Sequence, residues 1–400
     1  MKHFDIAVIG GGLAGLIAAV ALARGGRKVA LVSIPQGKAD KRTTALMDQS
    51  IRFLERLSLW DKIAPSAAPL STMQIIDGTN RLLRAPTVAF RAAEAGLDAF
   101  GYNIPNAALI AVLEGAVRAE GNITWVEELA QSVAAGEDAV SIGLESGETI
   151  SADFAVGADG RGSRLREGAG IAVRSWSYPQ SAMVLNFAHS LPHRNVSTEF
   201  HTESGPFTQV PLPGNRSSLV WVQKTAEAAA RSELPLEELG RLIEERMQSI
   251  LGQVTVEEGA QDWPLSGMMA HHFGKGRIAL VGEAAHVFPP IGAQGLNLGL
   301  RDVMTLAEIL CSHPEAPIGK AAGDAFDRKR RVDIISRTMS VDLLNRSLLS
   351  DFLPVQLLRA AGLHILSAIP PLRYVVMREG VEPGRGFKAM PSALREKLRR

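Results

Sequence analysis

Three short segments carry residues whose types and spacing could hold a phosphate-bearing ligand. The first reads Phe4-Asp5-Ile6-Ala7-Val8-Ile9-Gly10-Gly11-Gly12-Leu13-Ala14-Gly15, an apolar strand running through glycines into an Ala/Leu-rich helix, Leu13 to Arg24. Glycines at 10, 12 and 15 allow a tight turn, a close backbone approach to a pyrophosphate, and close helix-to-strand packing. The free amides and positive dipole end of that helix then favour phosphate charge. Alone, such a turn also occurs without a ligand. The second segment reads Val156-Gly157-Ala158-Asp159-Gly160-Arg161-Gly162-Ser163-Arg164-Leu165-Arg166, where a strand delivers an Asp-Gly turn and Ser163 and Arg166 are spaced to hold the loop behind it. The third runs from Leu280-Val281-Gly282-Glu283-Ala284-Ala285-His286 through a Pro/Gly loop to Gly295-Leu296-Asn297. Here an acid closes a strand, and the loop leads into a second helix start. Each of the last two, taken alone, is an ordinary turn.

The elements around these segments follow from periodicity and punctuation. Residues 1 to about 70 read as strand, glycine turn, helix, strand (Lys28 to Ser33), loop, and a helix from about Ala45 to Leu57. Short strands follow over 71–95, with Thr72 to Ile76 the best candidate, then a helix from Asn106 to Ala119. Strands near Ile123 to Val126, Val140 to Glu145 and Phe154 to Gly157 come next. From about 166 to 269 the pattern changes to alternating strands with Pro and Gly punctuation, broken by one helix near Pro235 to Ile250. A buried-strand pattern returns at Arg277 to Val281, a helix follows from about Gly295 to Leu310, and residues 320–400 read as mostly helical. The expected division is a discontinuous nucleotide-binding domain (1–70, 96–165 and 270–335), a β-rich domain (71–95 and 166–269), and a C-terminal helical segment (336–400).

Composition narrows the class. Four hundred residues, 46% hydrophobic, can bury a large core. A net charge of +1 argues against nucleic-acid binding, and the single Cys311 excludes an internal disulfide framework and fits a reducing, cytoplasmic setting. No window offers ~18 uninterrupted apolar residues, so no spanning helix is expected. No zinc-spaced cluster, Ser-His-acid set or phosphate-loop lysine is present, and no metal is expected.

In this order on a chain of this length, the three segments point to one flavin site. The chain resembles the single-component FAD-dependent aromatic hydroxylases of the p-hydroxybenzoate hydroxylase fold, and within them the ubiquinone-biosynthesis branch. Further residues carry the resemblance: Arg42-Thr43-Thr44-Ala45-Leu46, Gly101-Tyr102-Asn103-Ile104-Pro105-Asn106, Glu199-Phe200, Gly205-Pro206-Phe207-Thr208-Gln209-Val210-Pro211-Leu212 and Ser218-Leu219-Val220-Trp221, with Asn345-Arg346 and Ile369-Pro370-Pro371-Leu372 in the tail. It implies an α/β fold: a Rossmann-like FAD-binding domain with an inserted antiparallel β-sheet substrate domain and C-terminal helices. It also implies that Gly10, Gly12, Leu13, Ala14 and Gly15 approach the FAD pyrophosphate, Arg42 lies along the flavin, and Asp159 sits near both the flavin and the reductant-binding loops. Gly282 and Glu283 would stand at the ribityl hydroxyls, and Gly295, Leu296 and Asn297 would present amides to the pyrimidine edge. Three positions depart from that pattern. Ser33 stands where an acid normally binds the adenosine ribose (Asp40 lies nearby), Glu283 replaces aspartate, and Ala293 replaces glycine.

The implied activity is a monooxygenase reaction, in which FAD reduced by NAD(P)H or another donor reacts with O2 to a flavin hydroperoxide that hydroxylates the ring of a polyprenylated phenol. Strand alternation places Phe207 and Gln209 on one face, making them the candidate substrate contacts, with a structural role for the Gln209 amide equally open. No general base is identifiable. His286 reads as packing within its motif, His271 and His272 as surface residues, and Trp221 and Trp263 as core aromatics. Two alternatives stay open: a hydroxylase of a small soluble phenol, and a non-catalytic accessory protein of a quinone-biosynthesis complex with a decayed flavin site. The last sixty residues mix apolar side chains with Arg359, Arg373, Arg378, Arg385, Lys388, Arg395, Lys397, Arg399 and Arg400. That mixture suits peripheral attachment to anionic lipid on the inner membrane face, and equally a helical cap with a charged end.

Overall fold

Short apolar runs bounded by glycine and charge form the parallel strands of the first sheet. In the computed structural model, which describes residues 1–35, 40–79, 86–202, 204–257, 259–290 and 294–349, these strands lie in the order Ile278–Leu280, Thr149–Gly157, His3–Ile9, Val29–Val32 and Ile123–Val126. Val29–Val32 is buried throughout, as expected for a strand covered on both faces. The helix Leu13–Arg24 buries nearly all its residues because small alanines let it pack on both sides, against the helices Asn106–Ala119 and Gln294–Leu310. The strands also end level: Ile9 pairs with Gly157 and Val32, and Gly157 with Leu280.

The β-rich part forms a second sheet of nine strands among the described residues. Most neighbours are antiparallel, as expected, but Val196–Thr202 runs parallel to Thr72–Asp77. One face carries Met183, Leu185, Phe187, Phe200, Phe207, Leu219 and Trp221 beneath Leu239 and Ile243 of the helix Leu236–Arg246. Phe207 meets Phe200 and Trp221 edge to face, with centroids 5.8 and 5.2 Å apart.

Between the two sheets sits a three-stranded one, built from Thr43–Met47, Ala68–Pro69 and Gly101–Pro105. This corrects the expected helix start at Ala45, since the helix begins only at Asp48. The backbones pair closely from Thr43 with Pro105 to Met47 with Gly101, and a Cβ on Gly101 would lie 2.1 Å from the Leu46 carbonyl oxygen. Thr43 and Thr44 are β-branched and favour the strand.

The helix Ala322–Leu349 runs without interruption across the domain boundary expected at 335/336. It starts against the first sheet and ends against the second, where Asp342 accepts a hydrogen bond from the Tyr178 hydroxyl and Asn345 Nδ2 donates to Gln180 Oε1. Among the described residues no helix is long and apolar enough to cross a membrane. The tail segment Ile369–Leu372, the basic residues from Arg359 to Arg400, and Ala293 all lie outside the described residues.

Candidate flavin site

Because the three parallel strands end level, the three glycine-bearing segments emerge side by side at the carboxyl edge of the first sheet, where α/β sheets bind nucleotides. Gly10 has φ +112°, and a Cβ there would stand 2.3 Å from the Ala158 carbonyl oxygen. A Cβ on Gly15 would stand 2.0 Å from the Gly10 carbonyl oxygen. The fold itself therefore demands glycine at both positions, and it presses the first segment against the second.

Arg166 joins the second segment to the third. Its Nη2 donates to the Arg161 carbonyl (2.7 Å), and its Nη1 donates to the Ala284 carbonyl (2.9 Å). Ser163 caps the short helix behind the turn by accepting from the Arg166 amide at 3.0 Å, the loop-holding role expected for this pair. Gly282, at φ +58°, would bring a Cβ to 3.4 Å from Ala14, and a Cβ on Gly299 would reach Gly282 Cα at 3.3 Å. Third and first segments thus touch as well.

Two observations show that this cradle fits a phosphate-bearing cofactor with sugar hydroxyls. Gly12 has φ −71° and ψ 174°, and a Cβ there would meet nothing within 4 Å. It caps the helix Leu13–Arg24 with no side-chain hydrogen bond and no acid in the first turn. The fold does not need glycine at this position, yet the open space stands over bare helix amides. Asp159 supplies the second observation. Its Oδ2 accepts from the Leu165 amide at 3.2 Å, while its Oδ1 is buried without a hydrogen-bond partner. A buried orphan acceptor calls for a donor from outside the chain.

Around this cradle the other expected residues distribute as follows. Leu13, Ala14 and Leu296 are half-buried against the core, and a Cβ on Gly295 would meet nothing within 4 Å. Asn297 is buried, its Oδ1 accepting from the Met47 amide (2.9 Å) and the Ser50 hydroxyl (2.7 Å) and its Nδ2 donating to the Ala45 carbonyl (2.8 Å). Its side chain is used to fix the helix start against the strand Thr43–Met47. Arg42 is gripped by Asp40, with Nε–Oδ1 at 2.9 Å and Nη2–Oδ2 at 2.8 Å, and Asp40 also accepts from Asn106 Nδ2 at 2.9 Å. Burial raises the Asp40 carboxyl, but the hydrogen bonds from Arg42 and Asn106 outweigh it and leave it below the usual range. Asp40 is therefore committed to Arg42 and does not stand in for the acid missing at Ser33. Ser33 is buried, receives Trp125 Nε1 on its carbonyl (2.9 Å) and hydroxyl (3.2 Å), and abuts Gly11, whose Cβ would lie 2.6 Å from Ser33 Oγ. The Glu283 carboxylate is turned toward Arg161 Nε at 3.2 Å, with its side chain 55% exposed.

The second sheet meets this cradle through its other face. Thr43 Oγ1 donates to Ser218 Oγ (2.9 Å), Asn103 Nδ2 reaches the Pro211 carbonyl (2.9 Å), and Asn186 Nδ2 donates to the Lys41 carbonyl (3.0 Å). Register places Val184, Val220, Thr208 and Glu199 in one row across that face, and all four are half-buried. Phe207 and Gln209 do share a face, as alternation requires, but it is the helix-covered one. Phe207 is fully buried among aromatics, and Gln209 Nε2 donates to Ser217 Oγ at 2.8 Å. The residues facing the cradle are thus one position along, at Thr208 and Val210. Trp221 is core, as expected. Trp263 corrects its expectation: it is 42% exposed, with the Arg42 guanidinium 5.0 Å from its ring centroid. His271 and His272 are exposed, and His286 is buried within its motif. Sequence inspection missed Asp302. Its signal was an acid on the buried stripe of the helix Gln294–Leu310, four residues beyond Leu298.

A fold of this kind, with this cradle, defines an FAD-binding protein, and its relatives make it an FAD-dependent monooxygenase. The FAD binding domain family matches residues 3–332, and the chain belongs to it. A relative from Rhodospirillum rubrum, named ubiquinone hydroxylase UbiL, is 33% identical over 410 residues, which cover 98% of this chain and 94% of the relative. The 3-demethoxyubiquinol 3-hydroxylase of Escherichia coli is 29% identical, over 90% of this chain and 93% of its own. Among solved structures, p-nitrophenol 4-monooxygenase PnpA from Pseudomonas putida DLL-E4 superposes with a TM-score of 0.77 at 20% identity, covering 97% of this chain and 98% of its own.

Proposed function

We propose that this chain hydroxylates the aromatic ring of a polyprenylated phenol in ubiquinone biosynthesis, with FAD as cofactor and NAD(P)H as transient reductant. The observation that carries the substrate is the 33% identity to a ubiquinone hydroxylase over 98% of this chain, while the meeting of three strand ends in one cradle, faced by the half-buried row of the second sheet, supports the cofactor. Residues 1–70, 96–165 and 270–335 serve FAD, residues 71–95 and 166–269 serve the substrate, and the helix Ala322–Leu349 runs on from the first part to the second. Gly10, Gly12, Leu13, Ala14 and Gly15 would hold the pyrophosphate, and Asp159 Oδ1 would accept from a cofactor hydroxyl. Arg42 would lie along the ring system, Gly282 and Glu283 would hold the ribityl chain once the Glu283 carboxylate leaves Arg161, and the amides of Gly295, Leu296 and Asn297 would face the pyrimidine edge. FAD, when bound, supplies the activation of O2 and the transfer of one oxygen atom. The chain's own tasks are positioning and exclusion of water. Val184, Val220 and Val210 offer an apolar wall for the ring and the start of its prenyl chain, and the Thr208 hydroxyl offers one polar contact. The basic, leucine-rich sequence after residue 350 is proposed to contact anionic lipid, near a substrate dissolved there.

The test is a deletion strain whose total lipid is extracted and separated. Loss of the quinone with accumulation of a prenylphenol lacking one hydroxyl, reversed by the wild-type gene, is expected. Unchanged quinone would refute the substrate. A purified protein that is colourless and takes up no added FAD would refute the chemistry.

A further inference from the structure

Asp302 is completely buried midway along the helix Gln294–Leu310, and its carboxylate receives three donors. Oδ2 accepts from the Gly282 amide at 3.2 Å and from His286 Nε2 at 2.7 Å, and Oδ1 accepts from Arg330 Nε at 2.8 Å. Gly282 and His286 are the two ends of the turn that carries Glu283, so one carboxylate grips both ends of that turn. Five residues upstream on the same helix, about 7.5 Å along its axis, Asn297 is tied to the strand Thr43–Met47. Two walls of the flavin cradle are therefore held to one helix, and Asp302 is the joint between them. Arg330 is in turn fixed by Asp333 (2.6 Å), which also meets Arg337 (3.1 Å) and Arg301 (3.5 Å). Burial disfavours the Asp302 charge, but His286 and Arg330 outweigh it and hold the carboxyl below its usual range.

A buried ionic group of this sort is a poor stabiliser, because desolvating the charges offsets most of their attraction. Its geometry explains it better. Resting on the FAD assignment proposed above, we infer that Asp302 is a positioning residue for the cofactor, setting the separation between the Gly282–Glu283 turn and the helix start at Gly295–Asn297. Releasing the turn displaces the ribityl-side wall while leaving the pyrimidine-side wall in place. A binding constellation has to be held to within roughly 0.5 Å of its productive geometry, so a displaced wall weakens it.

The experiment compares full-length wild-type protein with Asp302→Asn, the double variant Asp302→Asn/Arg330→Met, and Asp327→Asn. The double variant removes the Asp302–Arg330 pair together, so neither is left as the other's unmatched buried charge. Asp327 is the control: it sits on the neighbouring helix, accepts from the Phe273 amide at 2.7 Å and pairs with Arg331 at 2.6 Å, and among the described residues it makes no hydrogen bond to the 282–286 turn. Each protein is titrated with FAD, followed by flavin fluorescence, and the bound flavin's absorption spectrum and reduction potential are recorded alongside the melting curve. The expected result is a loss of FAD affinity of about tenfold or more in the double variant, the equivalent of one misplaced hydrogen bond, with a shifted spectrum and potential. Asp327→Asn should retain parental values for all three. Double-variant affinity within threefold of the parent, with the same spectrum and potential, overturns the proposal. Equal loss in Asp327→Asn, in proportion to lost stability, overturns it too. A wild-type protein that binds no FAD overturns the assignment beneath it and this inference together.

Discussion

Gly12→Ala separates a glycine needed by the fold from one needed by a ligand. At Gly10 and Gly15 an added methyl would run into backbone at 2.3 and 2.0 Å, so substitution there damages the protein whether or not it binds anything. At Gly12 the methyl meets nothing within 4 Å, and φ −71° with ψ 174° suits any residue. Two small effects then act on the apoprotein. Replacing glycine at a compatible site stabilises by about 0.4–1 kcal/mol through the unfolded chain. Alanine is a poorer N-cap than glycine, which costs about 0.5–1 kcal/mol. They cancel, and the melting temperature should stay within about 2 °C of the parent. FAD binding should respond differently. A methyl between the helix amides and a phosphate lengthens or breaks a hydrogen bond to a charged group, worth about 1.5–3 kcal/mol. That corresponds to roughly a 10- to 150-fold weaker affinity. Titration of apoprotein with FAD, followed by fluorescence quenching, reads the affinity, and thermal melts without FAD read the stability. Unchanged affinity beside unchanged stability would mean that no phosphate lies over Gly12, and the cradle would then lose its strongest support.

Other substitutions probe the remaining walls. Val220→Trp fills the half-buried row facing the cradle and should lower kcat/KM at least about tenfold with FAD affinity intact, whereas Phe207→Leu should cost about 1–3 kcal/mol of stability with KM unchanged. The opposite pattern would place the substrate on the helix-covered face. Glu283→Gln removes an exposed pair with Arg161, worth at most about 1 kcal/mol, so its melting curve should not move. If the carboxylate swings to the ribityl hydroxyls, FAD affinity drops about tenfold; parental affinity would remove Glu283 from the site. Asp333, despite burial that raises it, is held below its usual range by Arg301 and Arg330. A carboxyl whose folded value is depressed contributes stability above its unfolded value of about 3.9, and that contribution is lost as pH falls through the folded value. Melts between pH 6 and pH 3 should therefore show a larger loss for the parent than for Asp333→Asn, and parallel losses would refute the ion-pair account.

Local chemistry alone determined a good deal of this protein. Apolar runs ending in glycine, the Ala-rich stretch after Gly12 and the Asp-Gly turn at Asp159 fix strands, turns and helix starts, because φ preference, helix propensity and capping act over a few residues. The helix Asn106–Ala119 and the strand Ile123–Val126 coincide with their expected bounds for that reason. Strand alternation also set Phe207 and Gln209 on a common face. Which face meets the cradle was decided elsewhere, by the helix Leu236–Arg246 covering one side and by Thr43 and Asn103 binding the other. Thr43 and Thr44 favour a strand locally, but its pairing over Thr43–Met47 needed Gly101 to let the partner approach. Asp302 acquired its role from Gly282, His286 and Arg330, which lie 16 to 28 residues away along the chain. Periodicity reports the direction of a side chain relative to its own backbone; the neighbour it meets depends on contacts between distant segments, and only the folded chain supplies those.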